Sequence, residues 1–457
     1  MYNNVTEAFL EKLRETAAQP HIRTGEDIGA DYAHDELPGG QAYRPEAVVE
    51  AESTAEVAAV LALCGEYGVP VTVRGAGTGQ AGGSVPVKGG LVLSLKGMNK
   101  ILAYDEAGHS LRVQPGVLLQ DVKAEAEKRG LYYPPDPGEQ TATIGGNAST
   151  NAAGPCALKY GRTGDYILDA VIVLADGSIE TLRSREEYAA VIGSEGTLAV
   201  ITELSLKLIE KPGADAILLF PFMDSETAAD AARRILEAGF APADAELMDT
   251  DLVEFSGKVT GDPVFPVEIG GERIGATLML TLEGADDDEV MEKMEAIAEK
   301  AEELGCLDIL VGDTVSMKRA FRAAQSAFHT SMESGAKSAG EINLSVPAGA
   351  VAEMLAFAKA AGDEQGLRVL PYAHAGSGGM HIHAVSDLGR EEFAPLFRVF
   401  SDRVYAKCEA LGGDIAGEYG IGYAKIAYLP QEVREQFAAR KAAFDPKRIL
   451  NPGKVVG

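Results

Sequence analysis

Three histidines fall within the ten residues His374-Ala-Gly-Ser-Gly-Gly-Met-His381-Ile-His383, in a chain of 457 residues that has only seven. His381 and His383 alternate, so on a strand they face the same side. Glu418 follows in Gly417-Glu-Tyr-Gly-Ile-Gly422. Two imidazoles and a carboxylate suit Zn²⁺ or a similar divalent ion, with positions left open for a substrate. The same residues would also serve as satisfied polar groups at a strand end, and spacing alone leaves both readings open.

A second chemistry is written in glycine. The stretch Gly75-Ala-Gly-Thr-Gly-Gln-Ala-Gly-Gly83 directly follows an apolar run. Such a loop can turn its backbone N–H groups inward as an anion site, with Thr78 and Ser84 adding hydroxyls. No Gly-Lys-Ser/Thr follows, so it is not a Walker loop. No helix opens on its last glycine and no acidic residue closes a second strand, so the dinucleotide fingerprint is missing too. Thr141–Gly154 is a second glycine-rich loop, whose small residues and amides could pack on a ring and bond its edge. Two tight turns in a core remain the plain structural alternative.

The blocks RGAGTGQAGG, PPDPGE, TIGGNASTNAAGP, LKYGRTGDYIL and GSEGTLAVITE, with FDPKRILNPGK near the C-terminus, stand in the order seen in a known family. The chain resembles the vanillyl-alcohol-oxidase (PCMH) type of FAD-linked oxidases, in the glycolate oxidase/D-lactate dehydrogenase branch. The resemblance is close over about residues 40–210. It implies an α+β protein: a two-subdomain FAD-binding domain plus an α+β cap domain with an antiparallel sheet. It also implies that Gly75, Ala76, Gly77, Thr78 and Gly79 hold the FAD pyrophosphate, flanked by Arg74, Gln80 and Ser84. Pro135, Asp136, Thr143, Gly145, Gly146, Asn147, Ser149, Thr150, Gly154, Gly161, Ile201 and Asn451 would line the rest of the cofactor. With no His or Cys in the first loop, FAD is expected to bind non-covalently.

The same resemblance bears on the histidines. His374, His381 and Glu418 match the family's metal ligands, so one divalent metal (Zn, Fe or Mn) is expected there. The metal would polarise a substrate hydroxyl while the α-hydrogen leaves as hydride to the flavin. Three departures stand out. The family's catalytic base, the His after the Glu, is Tyr419, whose reference pKa of about 10 makes it a poor base unless metal or cations lower it. The family's Asp-Gly-Asn is Ser377-Gly378-Gly379. The arginine expected to clamp a substrate carboxylate falls at Ala324, which cannot form a bidentate pair. Arg322 or Lys337 are candidate replacements for the clamp, and Tyr419 or His383 for the base. The expected activity is oxidation of a small D-2-hydroxy acid, or a related alcohol, with electrons passed to an electron-transfer flavoprotein or iron–sulfur partner. The alternative is a flavoprotein subunit that passes electrons within a complex and whose hydroxy-acid activity is altered or lost.

The elements that must position these residues follow from periodicity and punctuation. Val48–Ala51, the helical Thr54–Tyr67 with Thr54 as N-cap, and Pro70–Val73 form a strand–helix–strand unit ending at the first glycine loop. Leu91–Leu95, Lys100–Tyr104, Ser110–Gln114, Ala170–Leu174 and Glu195–Leu208 read as strands, and Val117–Arg129 as a helix stopped by Gly130. Beyond Lys211-Pro-Gly213, strands such as Ala216–Phe220 and Ala276–Glu283 alternate with helices such as Ser225–Glu237 and Asp287–Leu304. The expected division is an N-terminal helical segment (1–40), an FAD-binding domain (41–212), a substrate or cap domain (213–410) and a C-terminal segment returning to the flavin (411–457).

Composition narrows the partners. A net charge of −28, from 69 acidic and 41 basic residues, opposes a nucleic-acid or anionic-membrane surface. Cys64, Cys156, Cys306 and Cys408 are too scattered to ligate a cluster and suit reduced thiols of a cytoplasmic protein. Met1–Pro20 has the acids of an amphipathic helix and not the pattern of a signal peptide. No apolar run approaches a membrane span, so no direct membrane insertion is expected.

Overall fold

The computed structural model describes residues 2–16 and 21–455. By its internal contacts the chain forms two units. The first comprises Met1–Gly154, Arg162–Lys211 and Glu418–Gly457; the second, Pro155–Gly161 and Pro212–Gly417.

In the first unit the strands Ala47–Glu50, Leu91–Ser94 and Val71–Arg74 lie parallel, with Ile22–Thr24 antiparallel at the edge. Their side chains are buried on both faces, as parallel sheets require. Helix Thr54–Tyr67 packs Val57, Val60, Leu61 and Cys64 onto this sheet. Ser53, not Thr54, is its N-cap: Ser53 is extended and its Oγ accepts the Glu56 N–H, while Thr54 is already helical. Gly68 in the left-handed region (φ 68°) stops the helix. Helix Glu7–Thr16 covers it with Phe9 and Leu13, Phe9 meeting Tyr67 edge-on. Of the expected N-terminal helix, Met1 and residues 17–20 lie outside the described residues.

The other sheet of this unit is antiparallel, in the order Ile101–Asp105, Ser110–Val113, Val200–Lys207, Ile167–Val173, Ile179–Leu182. A bulge between Ile201 and Glu203 locally re-aims the central strand. That strand begins at Val200 and not at Glu195. Gly193, Glu195 and Gly196 all have positive φ (79°, 53°, 67°), so Gly193–Gly196 is a turn.

The second unit is built on a seven-stranded sheet in which every pairing is antiparallel. Its order is Leu310–Gly312, Ala214–Phe222, Ala276–Gly284, Asp244–Asp249, Arg368–His374, Gly379–Ser386, Ser338–Ser345. Helices Ser225–Glu237, Asp287–Glu303, Val351–Glu364 and Arg390–Ala410 pack against the sheet and one another. The opposite face meets Phe321, Phe328 and Met332 of helices Val315–Ser326 and Phe328–Gly335, through Ile217, Leu219, Met248, Met279, Leu370 and Val385. Burying each such side chain contributes about 1.5–3 kcal/mol. Two-residue alternation then carries this same face from apolar to ionisable. Met248 leads to Glu246 and Asp244, Leu370 to Tyr372 and His374, and Val385 to His383 and His381. No described helix is long and apolar enough to cross a membrane.

Candidate active site

In the first unit the two glycine-rich stretches meet. A Cβ placed on Gly75 would lie 2.2 Å from Thr143 Oγ1. Gly77 has a φ of +85°, and the Arg74 guanidinium fills the space its Cβ would need, at 2.0 Å. Arg74 is buried and donates through Nη1 to His34 O (2.8 Å) and Ser84 Oγ (3.2 Å). Its Nε and the Gln80 Oε1 are buried without a hydrogen-bond partner among the described residues. Ala76 and Thr78 lie half-buried in the same loop and Gly79 is exposed.

The second stretch is not a loop throughout. Ile144–Thr150 is a helix capped by Thr143, whose Oγ1 accepts the Gly146 N–H at 3.3 Å. Gly145 lets it approach Pro115 closely, and Ser149 and Thr150 donate their hydroxyls back to Gly145 O and Gly146 O. Asn147 is buried. Pro135 is buried, and Asp136 is held by Lys123 (2.6 Å) and Gln140 (2.7 Å). Gly154 passes so near the Asp136 carbonyl that no side chain would fit. Asn451 joins the cradle to the C-terminal segment, accepting the Val73 N–H (2.9 Å) and donating to Glu195 O (2.6 Å). Gly161 belongs by its contacts to the second unit.

A residue that sequence reading missed lies beneath the first loop. Lys454 is buried, with Nζ 3.3 Å from Thr72 Oγ1, and burial pulls its pKa down to about 7 despite the nearby Asp35 and Glu195. Burial raises the pKa of both carboxyls. Two buried cations, an Nε–H awaiting an acceptor and a glycine backbone fit an anionic diphosphate such as that of FAD.

In the second unit the register puts the histidines among residues far apart in sequence. Glu246 lies opposite His374, Tyr372 and Asn343 flank His381, and Leu370 and Glu341 flank His383. The His374 Nδ1 bonds the buried Glu246 carboxylate. The His381 Nδ1 lies 2.7 Å from Glu341 Oε1. Both Nε2 atoms therefore face one another, 3.2 Å apart. Tyr372 stacks flat on His381, with centroids 4.3 Å apart and planes 4° apart, and holds the ring. Imidazoles with Nδ1 on carboxylates and Nε2 atoms turned toward one another are a donor set that could hold a divalent cation.

His383 faces a different set. It is buried, its Nε2 has no hydrogen-bond partner among the described residues, and burial lowers its pKa to about 4. His329, from helix Phe328–Gly335, lies 2.9 Å from Glu341 Oε2 through its Nδ1. The Glu341 carboxyl titrates well below the usual range: burial opposes this, but His383, His329 and His381 outweigh it.

Three other expected site residues, Arg322, Lys337 and Ala324, lie elsewhere in the second unit. Arg322 pairs with Asp215 at 3.0 Å on an exposed surface, beside the Lys318–Asp215 pair. Lys337 precedes strand Ser338–Ser345, and its Nζ lies by Gly389. Ala324 packs against the apolar cluster around Phe321 and Phe328. Glu418 and Tyr419 open the C-terminal segment of the first unit. Glu246, Glu341 and His329 were missed. The alternating acids of Asp244-Ala-Glu-Leu-Met-Asp249, in an otherwise apolar strand, were the available signal.

Comparison with known proteins accords with this geometry. Residues 45–183 match the family described as "FAD binding domain", and residues 211–455 match "FAD linked oxidases, C-terminal domain". A D-lactate dehydrogenase of Anaerostipes hadrus is 40% identical, covering 99% of this chain and 98% of that protein. The glycolate oxidase subunit GlcD of Bacillus subtilis is 33% identical, covering 93% and 91%. The structure of p-cresol methylhydroxylase with substrate bound superposes with a TM-score of 0.80 over 100% of this chain and 98% of that one; at 19% identity it speaks for the fold. With both halves matched and relatives aligned over nearly their whole length, the chain belongs to the FAD-linked oxidases of PCMH-type fold.

Proposed function

We propose that this chain oxidises a small D-2-hydroxy acid of the D-lactate or glycolate kind, or a related alcohol, to the oxo product in the cytoplasm. Electrons would pass to a separate electron-transfer flavoprotein or iron–sulfur subunit, since Cys64, Cys156, Cys306 and Cys408 are too dispersed along the chain to ligate a cluster. The supporting relatives are a D-lactate dehydrogenase and a glycolate oxidase subunit. The observation that carries the reading is the His374–His381 pair, with two Nε2 atoms 3.2 Å apart and each Nδ1 fixed by a carboxylate.

The chemistry supplied by the bound groups is hydride acceptance by FAD and polarisation of the substrate hydroxyl by a divalent cation (Zn, Fe or Mn). His374 and His381 would hold the cation, with Glu418 the third ligand that the sequence resemblance supplies. Tyr419 takes the hydroxyl proton. His383, the other candidate base, turns toward Glu341 and His329. The glycine loop, Arg74 and Lys454 bind the diphosphate.

A second reading, an electron-transfer subunit without hydroxy-acid turnover, draws support from Arg322. Its pairing with Asp215 takes away one cation nominated for a substrate carboxylate. Anaerobic addition of D-lactate, glycolate and related acids to the FAD-loaded protein separates the two. Bleaching of the flavin absorbance by one of them is the expected result, and an unbleached flavin across the panel would favour the electron-transfer subunit.

A further inference from the structure

We propose that His329, Glu341 and His383 form a second divalent-cation site, sharing no ligand with the His374–His381 pair. Their ligand atoms all lie within 4.8 Å of one another. Tetrahedral coordination at about 2.1 Å needs ligand atoms roughly 3.4 Å apart, so modest side-chain adjustments would bring the three onto one cation, with water as the fourth ligand. Two imidazoles and a carboxylate select a borderline cation such as Zn²⁺, Co²⁺ or Fe²⁺ over Mg²⁺ or Ca²⁺.

The second observation pointing to a ligand is the His383 Nε2. The residue is only 2% exposed, and this nitrogen has no hydrogen-bond partner among the described residues. A buried polar atom left so is costly, and a native interior keeps few of them. It shares its ring environment with His329, centroids 5.9 Å apart, and with Tyr372, 5.9 Å away and nearly parallel. His329 is part-exposed, its side chain 26% accessible, which gives an ion a route in from solvent.

Glu341 links the two clusters. Its Oε1 holds His381 Nδ1 at 2.7 Å while its Oε2 faces His329 Nδ1 at 2.9 Å. A cation on Oε2 would fix this carboxylate and with it the orientation of His381. The second ion would thus be structural and would tune the first site without touching substrate.

The test uses the full-length, FAD-loaded protein, stripped with chelator and titrated with Co²⁺, read by its visible ligand-field bands and by elemental analysis. The expected result is that His329→Gln binds about one Co²⁺ per chain fewer than wild type, while His374→Gln retains that ion. The difference between wild type and His374→Gln reports on the first site alone, so failure of either site is seen separately. Equal Co²⁺ stoichiometry in wild type and His329→Gln would overturn the proposal and leave a hydrogen-bonded imidazole–carboxylate cluster. Should His329→Gln lose its flavin or its fold, His383→Asn decides the same comparison by the same criterion.

Discussion

Glu195 Oε2 accepts a hydrogen bond from the Gly422 N–H at 2.7 Å, and its Oε1 takes the adjacent Ile421 N–H at the same distance. One carboxylate thus caps two consecutive backbone donors more than two hundred residues away in the chain. A side chain at Gly420 would fall 2.6 Å from Glu195 Oε1, so the Gly-Glu-Tyr-Gly-Ile-Gly segment needs its glycine there. The turn around Glu195 therefore holds the backbone that carries Glu418 and Tyr419. Replacing Glu195 by Ala leaves two buried N–H groups unpaired, at about 1–3 kcal/mol each. The urea midpoint of Glu195→Ala should fall accordingly. An unchanged midpoint would mean that water or a neighbour satisfies both donors.

Gly77 gives a sharper test of the flavin cradle. It combines a left-handed φ with a Cβ direction blocked by Arg74. Gly77→Val must displace the guanidinium from His34 O and Ser84 Oγ and reshape the loop. The purified variant should lose nearly all its yellow colour. Gly349→Ala, where an added Cβ meets nothing within 4 Å, should keep it. A fully coloured Gly77→Val protein would place the diphosphate elsewhere.

Lys454 makes the stability of the FAD-free protein depend on pH. Its pKa is about 7 when folded against an ordinary value of 10.5, so between those values the unfolded chain binds the extra proton. Its contribution to stability is therefore full above about 10.5, declines as the pH falls toward 7, and levels off below. Lys454→Met should remove this slope. An anionic diphosphate on the loop above favours the ammonium, so loading FAD should flatten the wild-type slope as well. Urea midpoints at about pH 7 and 10, with and without FAD, measure all of this. Parallel profiles for wild type and Lys454→Met would refute the assignment.

The parts of the site legible in the sequence are those fixed by local residue type. Gly75 and Gly77 announced a loop that side chains would obstruct, and the spacing of His381 and His383 placed both on one strand face. Helix Thr54–Tyr67 followed from its apolar periodicity, and only its cap was misread, because Ser53 and Thr54 are both capping residues and backbone geometry chooses between them. What escaped was set by strand register. Glu246 and His374 are 128 residues apart, Glu341 and His381 are 40 apart, and no local pattern states which strands will be neighbours. Arg322 shows the same limit: its distance in sequence from the histidines says nothing of Asp215, with which it pairs at 3.0 Å.

Tyr419 carries the last prediction, since it stands where the family resemblance leads one to expect a histidine. A general base is worth roughly 10²–10⁴ in rate, and a phenol can serve near neutral pH only if a neighbouring cation lowers its pKa. Tyr419→His supplies an imidazole that titrates near neutrality without such help. It should accelerate flavin reduction by D-lactate or glycolate at neutral pH and shift the rising limb of the pH–rate profile toward lower pH. Tyr419→Phe should slow reduction by the same range while leaving flavin content unchanged, because the role proposed for the phenol is to take the proton and not to hold FAD. His383→Gln is the counter-test: if it slows flavin reduction as much as Tyr419→Phe is expected to, and Tyr419→Phe does not, then the base is His383. Stopped-flow reduction traces across pH for the three variants distinguish these outcomes. Should Tyr419→His gain nothing with any 2-hydroxy acid, the deficit lies at substrate capture, where Ala324 packs into the apolar cluster in place of a carboxylate-binding arginine.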